Sequence, residues 1–345
     1  MKVMAAPAFC NRAFNPYTNL LYEAMQKRGV EVFEFSRWRI FFRRYDILHL
    51  HWPEYAVDHP LWPWALVKGS LMLFLLAVAR ARGVRIVWTA HNLRSHARLN
   101  PRLEDLYFWL LHRQLDGIIS LTQTGLVQLT PEIKNLDLPT ARIPHGHYRA
   151  AYPNRSSRAE VRTYLGLPAT ALVIGWMGQI RPYKGVPELV AAFRADPDPE
   201  KILLLAGTGD ESLIQLIREA AASDPRIHFH EGHVAEDHFH YFLNAADLII
   251  LPFRRMLNSG SVVLALSFDR PVVVPRLESL SEIEKQIGPN WVHFYEGTFD
   301  TAALNEACRW WQECPRPASA PLESLEWDRL AAQTVDFFQG LLDRK

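Results

Sequence analysis

Cysteine is scarce in this chain. Three residues, Cys10, Cys308 and Cys314, are odd in number and scattered. That pattern argues against a disulfide framework and against a cysteine-ligated metal site, and it fits a reducing compartment. Several catalytic signatures are also missing. No Gly-x-Ser-x-Gly elbow occurs, which disfavours a Ser-His-Asp hydrolase. No Gly-Lys-Ser/Thr phosphate loop and no Gly-x-Gly-x-x-Gly fingerprint occur either. Low-complexity tracts are absent. The opening Met1-Lys2-Val3-Met4-Ala5-Ala6 reads as a strand, so no secretory leader is expected. The longest apolar run, Leu71 to Ala79, is shorter than the ~20 residues of a spanning helix, and Lys68 lies just before it.

What is present has the composition of a globular enzyme: 49% hydrophobic and 22% charged over 345 residues. That length exceeds one ordinary core and implies two α/β domains. The net charge of +1 conceals an asymmetry. Residues 1–150 hold 19 Lys and Arg against 11 Asp and Glu, and residues 151–345 hold 19 against 26. A basic first half suits an anionic partner such as a phosphorylated acceptor or a membrane surface. Nucleic acid is disfavoured, because these cations form no stripe within a recognisable nucleic-acid module.

Strand-like apolar runs alternate with helical patterns throughout, as in parallel sheets covered by helices. Strands are predicted near 1–5, 30–35, 46–50, 84–89, 117–120 and 141–144, then near 171–177, 201–206, 226–230, 247–251, 271–274 and 291–294. Residues 144–156 read as a linker, and Ser157-Arg158-Ala159-Glu160 as a capping-box helix start. The expected layout is a Rossmann-like domain over 1–150, a second over 151–321, and a helix within 322–345 that returns to the first. Two doubly wound domains of this kind bind ligands at the carboxyl ends of their strands, in a cleft where they face each other. The helix over 61–82 is expected to lie buried against the sheet, with membrane contact as the alternative. Arg37 to Arg44, alternating cations with aromatic residues, is the better interfacial candidate.

The chemistry concentrates at strand ends. Gly178-Gln179-Ile180-Arg181-Pro182-Tyr183-Lys184-Gly185 follows an apolar strand and precedes a helix. Glycines admit close approach, and Arg181 and Lys184 supply cations, so the turn suits an anionic ligand. Asn258-Ser259-Gly260-Ser261 opens a later helix and reads as a second, neutral cradle, although ordinary capping explains Ser259 alone. Gly207-Thr208-Gly209 is placed to line the same cleft, and His233 to touch a nucleotide. The His228/His230 and His238/His240 pairs lack the spacing and companions of a metal site, so none is expected. In the first half, His51 and Glu54, His91, and His145 follow three separate strands, with His49 inside the first of these and His96 beyond the second. Glu54, His91 and His51 are the candidates for a general base.

Taken in order, Asn15-Pro16-Tyr17, His49-x-His51-Trp52-Pro53, Thr89-Ala90-His91-Asn92-Leu93, the 178–185 turn, Ala246-Asp247-Leu248-Ile249-Ile250-Leu251-Pro252 and Ser259-Gly260-Ser261 resemble a GT-B glycosyltransferase. Within that group the pattern is similar to bacterial exopolysaccharide transferases of the xanthan β-mannosyltransferase type. The resemblance implies an α/β GT-B fold and transfer of a hexose, mannose favoured, from a nucleoside diphosphate sugar such as GDP-mannose. The acceptor would be a glycolipid or oligosaccharide carried on a polyprenyl diphosphate, and the enzyme cytoplasmic or peripheral at the inner membrane face. No further cofactor or metal is implied. Gly178, Gln179, Arg181, Lys184, Gly207, His233, Ser259, Gly260 and Ser261 would hold the donor. In the related retaining family two glutamates precede the Gly-x-Pro-Val turn; here Met256 and Leu264 stand at those positions, and Asp269 stands where glycine is usual. That departure favours inversion. The alternatives are a retaining transferase, a glucosyl or glucuronosyl transferase using a UDP-sugar, a sugar-nucleotide epimerase, or a degenerate binding subunit.

Overall fold

The computed structural model describes residues 1–12, 15–95, 98–256 and 260–344. Its chain divides into two compact units, one of residues 1–146 with 325–345 and one of residues 147–324. The division falls inside the expected linker, and the second boundary lies within four residues of the expected one.

The first unit alternates β1 (Lys2–Ala6), α1 (Tyr17–Lys27), β2 (Glu31–Glu34), α2 (Arg39–Phe42) and β3 (Ile47–His51). It continues with α3 (Trp62–Ala81), β4 (Arg85–Ala90), α4 (Pro101–His112), β5 (Gly117–Ser120), α5 (Gln123–Ile133) and β6 (Thr140–Arg142). All six strands are parallel, in the order β2-β1-β3-β4-β5-β6. Connections therefore leave in opposite directions on either side of β1 and β3, the place where such sheets open a crevice beyond their strand ends. One face of this sheet packs Tyr17, Leu21, Tyr22 and Met25 of α1 with Trp327, Leu330 and Phe338 from the end of the chain. The other face buries Leu75, Leu76 and Ala79 of α3 and Phe108 and Leu111 of α4.

The second unit runs α6 (Arg158–Tyr164), β7 (Leu172–Ile180), α7 (Val186–Ala195), β8 (Lys201–Gly209), α8 (Glu211–Ser223) and β9 (Ile227–Glu231). Then follow α9 (Phe239–Ala245), β10 (Leu248–Ile250), α10 (Gly260–Ser267), β11 (Val272–Pro275), α11 (Glu278–Ile287), β12 (Val292–Tyr295) and α12 (Thr301–Glu313). Its sheet is also parallel, ordered β12-β11-β10-β7-β8-β9, so the switch point lies between β7 and β10. The expected capping box is present: Ser157 Oγ accepts from Glu160 N, and the Glu160 carboxylate accepts from Ser157 N at 2.7 Å. The last helix, α13 (Trp327–Leu342), belongs to the first unit and packs on α1. It begins five residues later than the 322–342 span expected.

Two expectations need correction. The 178–185 segment is not turn throughout: Gly178, Gln179 and Ile180 continue β7 and pair with Gly207, Thr208 and Gly209 of β8. Glycine is what permits this, because a Cβ on Gly207 would stand 1.9 Å from the Gly178 carbonyl oxygen. The second correction concerns α3. Only Ala65, Gly69, Leu75, Leu76 and Ala79 are buried, and much of its apolar surface faces solvent. An all-round apolar helix reads as buried by composition, but a sheet can cover only one of its faces.

A buried ion pair that sequence reading missed ties the second unit together. Arg162 donates to Asp247 Oδ2 at 2.7 Å and to the carbonyls of Ala245, Ala169 and Ala171, while the same Asp247 oxygen accepts from Val173 N. Both side chains are almost fully buried. Arg162→Leu would remove the closest buried partner of Asp247 and leave it with Arg158 and the more distant Arg270. We expect a loss of about 3–5 kcal/mol in urea titration, because breaking a buried pair strands its partner.

Candidate functional site

In the second unit, the candidate cations Arg181 and Lys184 follow β7, at its switch point with β10. Arg181 follows the end of β7, Pro182–Lys184 form one 3-10 turn, and Gly185 enters α7 with φ 67°. A Cβ at Gly185 would lie 2.0 Å from the Pro252 carbonyl oxygen, so the turn closes against the end of β10 only with glycine there. Arg254 N donates to the Tyr183 carbonyl at 2.8 Å, and Arg254 also pairs with Glu188. The loop after β10 thus brings Arg254 and Arg255 against the 182–184 turn, Arg255 lying over the Tyr183 ring. Sequence reading overlooked both arginines, although Phe253-Arg254-Arg255 directly after a buried strand was the available signal.

Lys184 is the distinctive cation. Its ammonium lies 5.9 Å from the Trp176 ring centroid and close over Gly178, whose Cβ, if present, would stand 3.4 Å from Nζ. No carboxylate pairs with it among the described residues. Burial, with Arg181 adding repulsion, lowers its pKa to about 8. An unpaired, partly desolvated cation gains from any anion that arrives. Arg181 differs: it is exposed and bound to Asp210 at 2.7 Å. Gly260 and Ser261 stand in the first turn of α10, whereas Asn258 and Ser259 lie outside the described residues. Gln179 and Gly207 lie in the paired strand ends, and His233 is exposed beyond β9. Among the described residues no group of three His, Cys, Asp or Glu converges as a metal site.

In the first unit, the expected strand-end cluster does assemble, and it is deeper than a surface site. His49 Nε2 bonds Thr89 Oγ1 at 2.7 Å, and Tyr22 Oη bridges His49 Nδ1 and His51 Nε2, each at 2.7 Å. His51 Nδ1 then meets His91 Nε2 at 2.8 Å. Tyr17 places its ring against His51, His91 and His145, with centroids 5.9, 4.7 and 4.9 Å away. His147 falls in the second unit and accepts from Arg149 N; His96 lies outside the described residues. Tyr22 was not foreseen, because on α1 it sits within an apolar face and looks like core.

The hydroxyl of Tyr22 carries one proton, so it donates to one imidazole and accepts from the other. The tautomers of His49, His51 and His91 are therefore linked. If Tyr22 donates to His49, His51 holds its proton on Nε2 and His91 Nε2–H donates to His51; if it donates to His51, the chain reverses and His91 Nε2 accepts. Burial holds all of these imidazoles neutral. It lowers the His49 pKa to about 3 and the His145 pKa to about 4, and it puts His51 and His91 well below the usual range.

Glu54 is placed by backbone strain. β3 ends at His51, and Trp52 turns the chain with φ 50° and ψ 49°, a left-handed conformation that costs a bulky residue about 1–3 kcal/mol. Its indole stacks on His91, 4.4 Å between centroids. The turn carries Glu54 inward, where Asn92 Nδ2 donates to Oε1 at 2.9 Å and Oε2 has no partner among the described residues. Desolvation raises the Glu54 pKa to about 7. A carboxylate with that pKa is a competent base at neutral pH, whereas the depressed imidazoles are weak ones. The geometry thus orders the three candidates: Glu54 is suited to take a proton, and His51 and His91 are suited to hold positions.

Comparison with known proteins identifies the family and the fold. Residues 171–310 match the family model described as glycosyl transferases group 1. A GDP-mannose:glycolipid 4-beta-D-mannosyltransferase from Xanthomonas campestris pv. campestris is 34% identical over 322 residues, 93% of this chain and 86% of that one. The chain belongs to the group 1 glycosyl transferases. It is accordingly an enzyme, and its fold is GT-B. Sucrose-phosphate synthase from Thermosynechococcus elongatus superposes with a TM-score of 0.73 at 16% identity, covering all of both chains. Anabaena HepE in complex with UDP superposes with a TM-score of 0.64 at 17% identity, over 99% of this chain and 98% of that one. Nothing among these findings favours the epimerase or the non-catalytic subunit.

The buried imidazoles give the transferase a pH signature. Their folded pKa values lie below the ordinary 6.5, so the stability they confer is complete above that pH and is lost as pH falls from 6.5 toward 3. Urea titrations over this range should show midpoints falling steadily. Tyr22→Phe leaves two buried ring nitrogens without their shared partner and should cost about 1–3 kcal/mol at pH 7.5.

Proposed function

We propose that this enzyme is a hexosyltransferase that moves mannose from GDP-mannose to a saccharide on a polyprenyl-diphosphate lipid, in exopolysaccharide assembly at the cytoplasmic membrane face. The carrying observation is the 34% identity to a mannosyltransferase over nearly the whole chain. The cationic turn at the β7/β10 switch point supports the donor assignment. Lys184 and Arg181, with Arg254 and Arg255 nearby, would bear the charge that develops on the departing diphosphate, and the opening turn of α10, with Gly260 and Ser261, would donate N–H groups to its oxygens. Arg181 would leave Asp210 to do so. In this reading the second unit binds the donor, the first binds the acceptor, and the protein cations take the part that a metal plays elsewhere.

Glu54 serves as the base in this proposal. Oε2 removes the proton from the attacking hydroxyl of the acceptor. The hydroxyl oxygen bonds to the anomeric carbon as the bond to the diphosphate breaks, and GDP departs with the electron pair. Direct displacement inverts the centre, in keeping with the non-acidic Met256 and Leu264. His91, held by His51 and stacked by Trp52, would orient the acceptor.

Release of GDP from GDP-mannose, with UDP-sugars as parallel donors, tests the reading; acceptor-dependent release specific to the mannosyl donor is expected. Lys184→Ala and Arg181→Ala should each reduce turnover sharply with the fold intact, Lys184→Ala the more, since removing one transition-state donor typically costs about 10²–10³-fold. Near-normal rates in both would overturn the diphosphate assignment.

Glu54→Gln should lower turnover by about 10²–10⁴-fold with donor affinity preserved. In the unmodified enzyme the rate should rise with pH through about 7, where Glu54 ionises, and that limb should vanish in the variant. The product of an α-linked donor should be β-linked by NMR; an α-linked product would return the enzyme to the retaining mechanism.

A further inference from the structure

Helix α3 presents to water what a soluble helix hides. Trp64, Val67, Leu71 and Phe74 fall on one helical stripe, and Trp64, Val67 and Phe74 are 59, 56 and 56% exposed. The face turned away from them carries Ala65, Gly69 and Leu76, all buried. Helix α4, packed against α3, repeats the pattern in smaller form. Its exposed stripe reads Arg102, Leu106, Trp109, then Arg113 just beyond its end, and the Arg113 guanidinium lies 3.6 Å from the Trp109 ring centroid. On the other flank α2 packs against α3 and exposes Trp38 and Phe42 among arginines. Ile40 is buried there and Phe41 only half-exposed, so Phe42 rather than Phe41 is the outward ring.

Exposed charge on this face is mostly positive. Segment 37–44 and helix α3 contain no Asp or Glu. In α4, Glu104 is buried against Ser95 N and Arg98, and Asp105 is paired with Arg94 and Arg98. Lys68, Arg102 and Arg113 surround the apolar stripe without a competing carboxylate among the described residues.

We propose that the α2–α3–α4 face of the first unit docks on an anionic lipid bilayer, with the α3 stripe in the headgroup zone and the flanking cations on lipid phosphates. Aromatic and aliphatic rings between cations are the composition that this zone favours. α3 is long and apolar enough to span a membrane by length and composition. Its inner face prevents that, because Gly69 lies against Val57 and Tyr107, and Leu75, Leu76 and Ala79 sit in the core beneath the sheet. The helix therefore lies on the surface rather than crossing it. Docking of a second copy through this face would set its cations against themselves, whereas a bilayer of anionic lipid neutralises them.

This surface is independent of the donor site, so its test needs no sugar nucleotide. The full chain would be sedimented with vesicles of phosphatidylcholine alone and of phosphatidylcholine with phosphatidylglycerol, at low and high salt. Binding to the anionic vesicles should be strong at low salt, weaken with salt and be poor on the neutral ones. Trp64→Ser/Phe74→Ser should lower partitioning by ~10-fold or more, and Arg113→Glu should reduce it chiefly at low salt. Thermal unfolding and GDP-mannose binding should be unchanged in these variants, which separates failure here from failure of the donor assignment. Equal partitioning of the double variant and the unmodified protein would overturn the proposal. So would an absence of binding to anionic vesicles, or a dimer in solution that the double variant splits.

Discussion

A half-buried ammonium without a carboxylate partner among the described residues governs the second unit. Lys184 is kept there by geometry that the sheet imposes. β7 and β8 run on through paired glycines to Ile180 and Gly209, one 3-10 turn follows, and Gly185 closes against the end of β10. The first and last steps need a residue without a side chain, since a Cβ at Gly207 or Gly185 would strike a carbonyl oxygen. The result is a cation whose charged form is penalised until an anion arrives, next to exposed arginines of which Arg181 is held by Asp210 and Arg254 by Glu188. Such preorganisation does its greatest service when negative charge grows during reaction.

The first unit solves a different problem, how to keep polar groups buried and in order. Thr89, His49, Tyr22, His51 and His91 form a chain of bonds, all between 2.7 and 2.8 Å, in which one phenol proton fixes the sense of three imidazoles. Every link is buried, so none can be exchanged for water without cost. Trp52 couples this chain to Glu54: its left-handed backbone ends the strand, its ring stacks on His91, and the next turn delivers the carboxylate. Rigid imidazoles and a carboxylate titrating near neutrality are thus products of the same strand end.

Much of the architecture was legible in the sequence because buried parallel strands are written as short apolar runs. All twelve strands appear within a few residues of their expected places, and the Ser157–Glu160 capping box is as expected. The strand-end positions of His51, His91 and Lys184 were also legible. Tyr22 was hidden because a buried hydroxyl on an apolar helix face leaves no pattern of its own. Arg162 and Asp247, 85 residues apart, meet only in three dimensions. The exposure of α3 was misread for a physical reason: composition records how apolar a helix is, and not how much of it the neighbouring sheet can cover.

The most direct measurement of the central claim is proton uptake on donor binding. An anionic diphosphate beside Lys184 must raise its pKa from about 8, so binding near pH 8 must draw in a proton. Calorimetric titration of GDP-mannose in buffers of differing ionisation enthalpy reads that uptake. The account predicts a fraction of a proton gained per donor bound near pH 8, fading toward pH 6.5 and absent in Lys184→Met. Binding without uptake, or the same uptake in the variant, would contradict it.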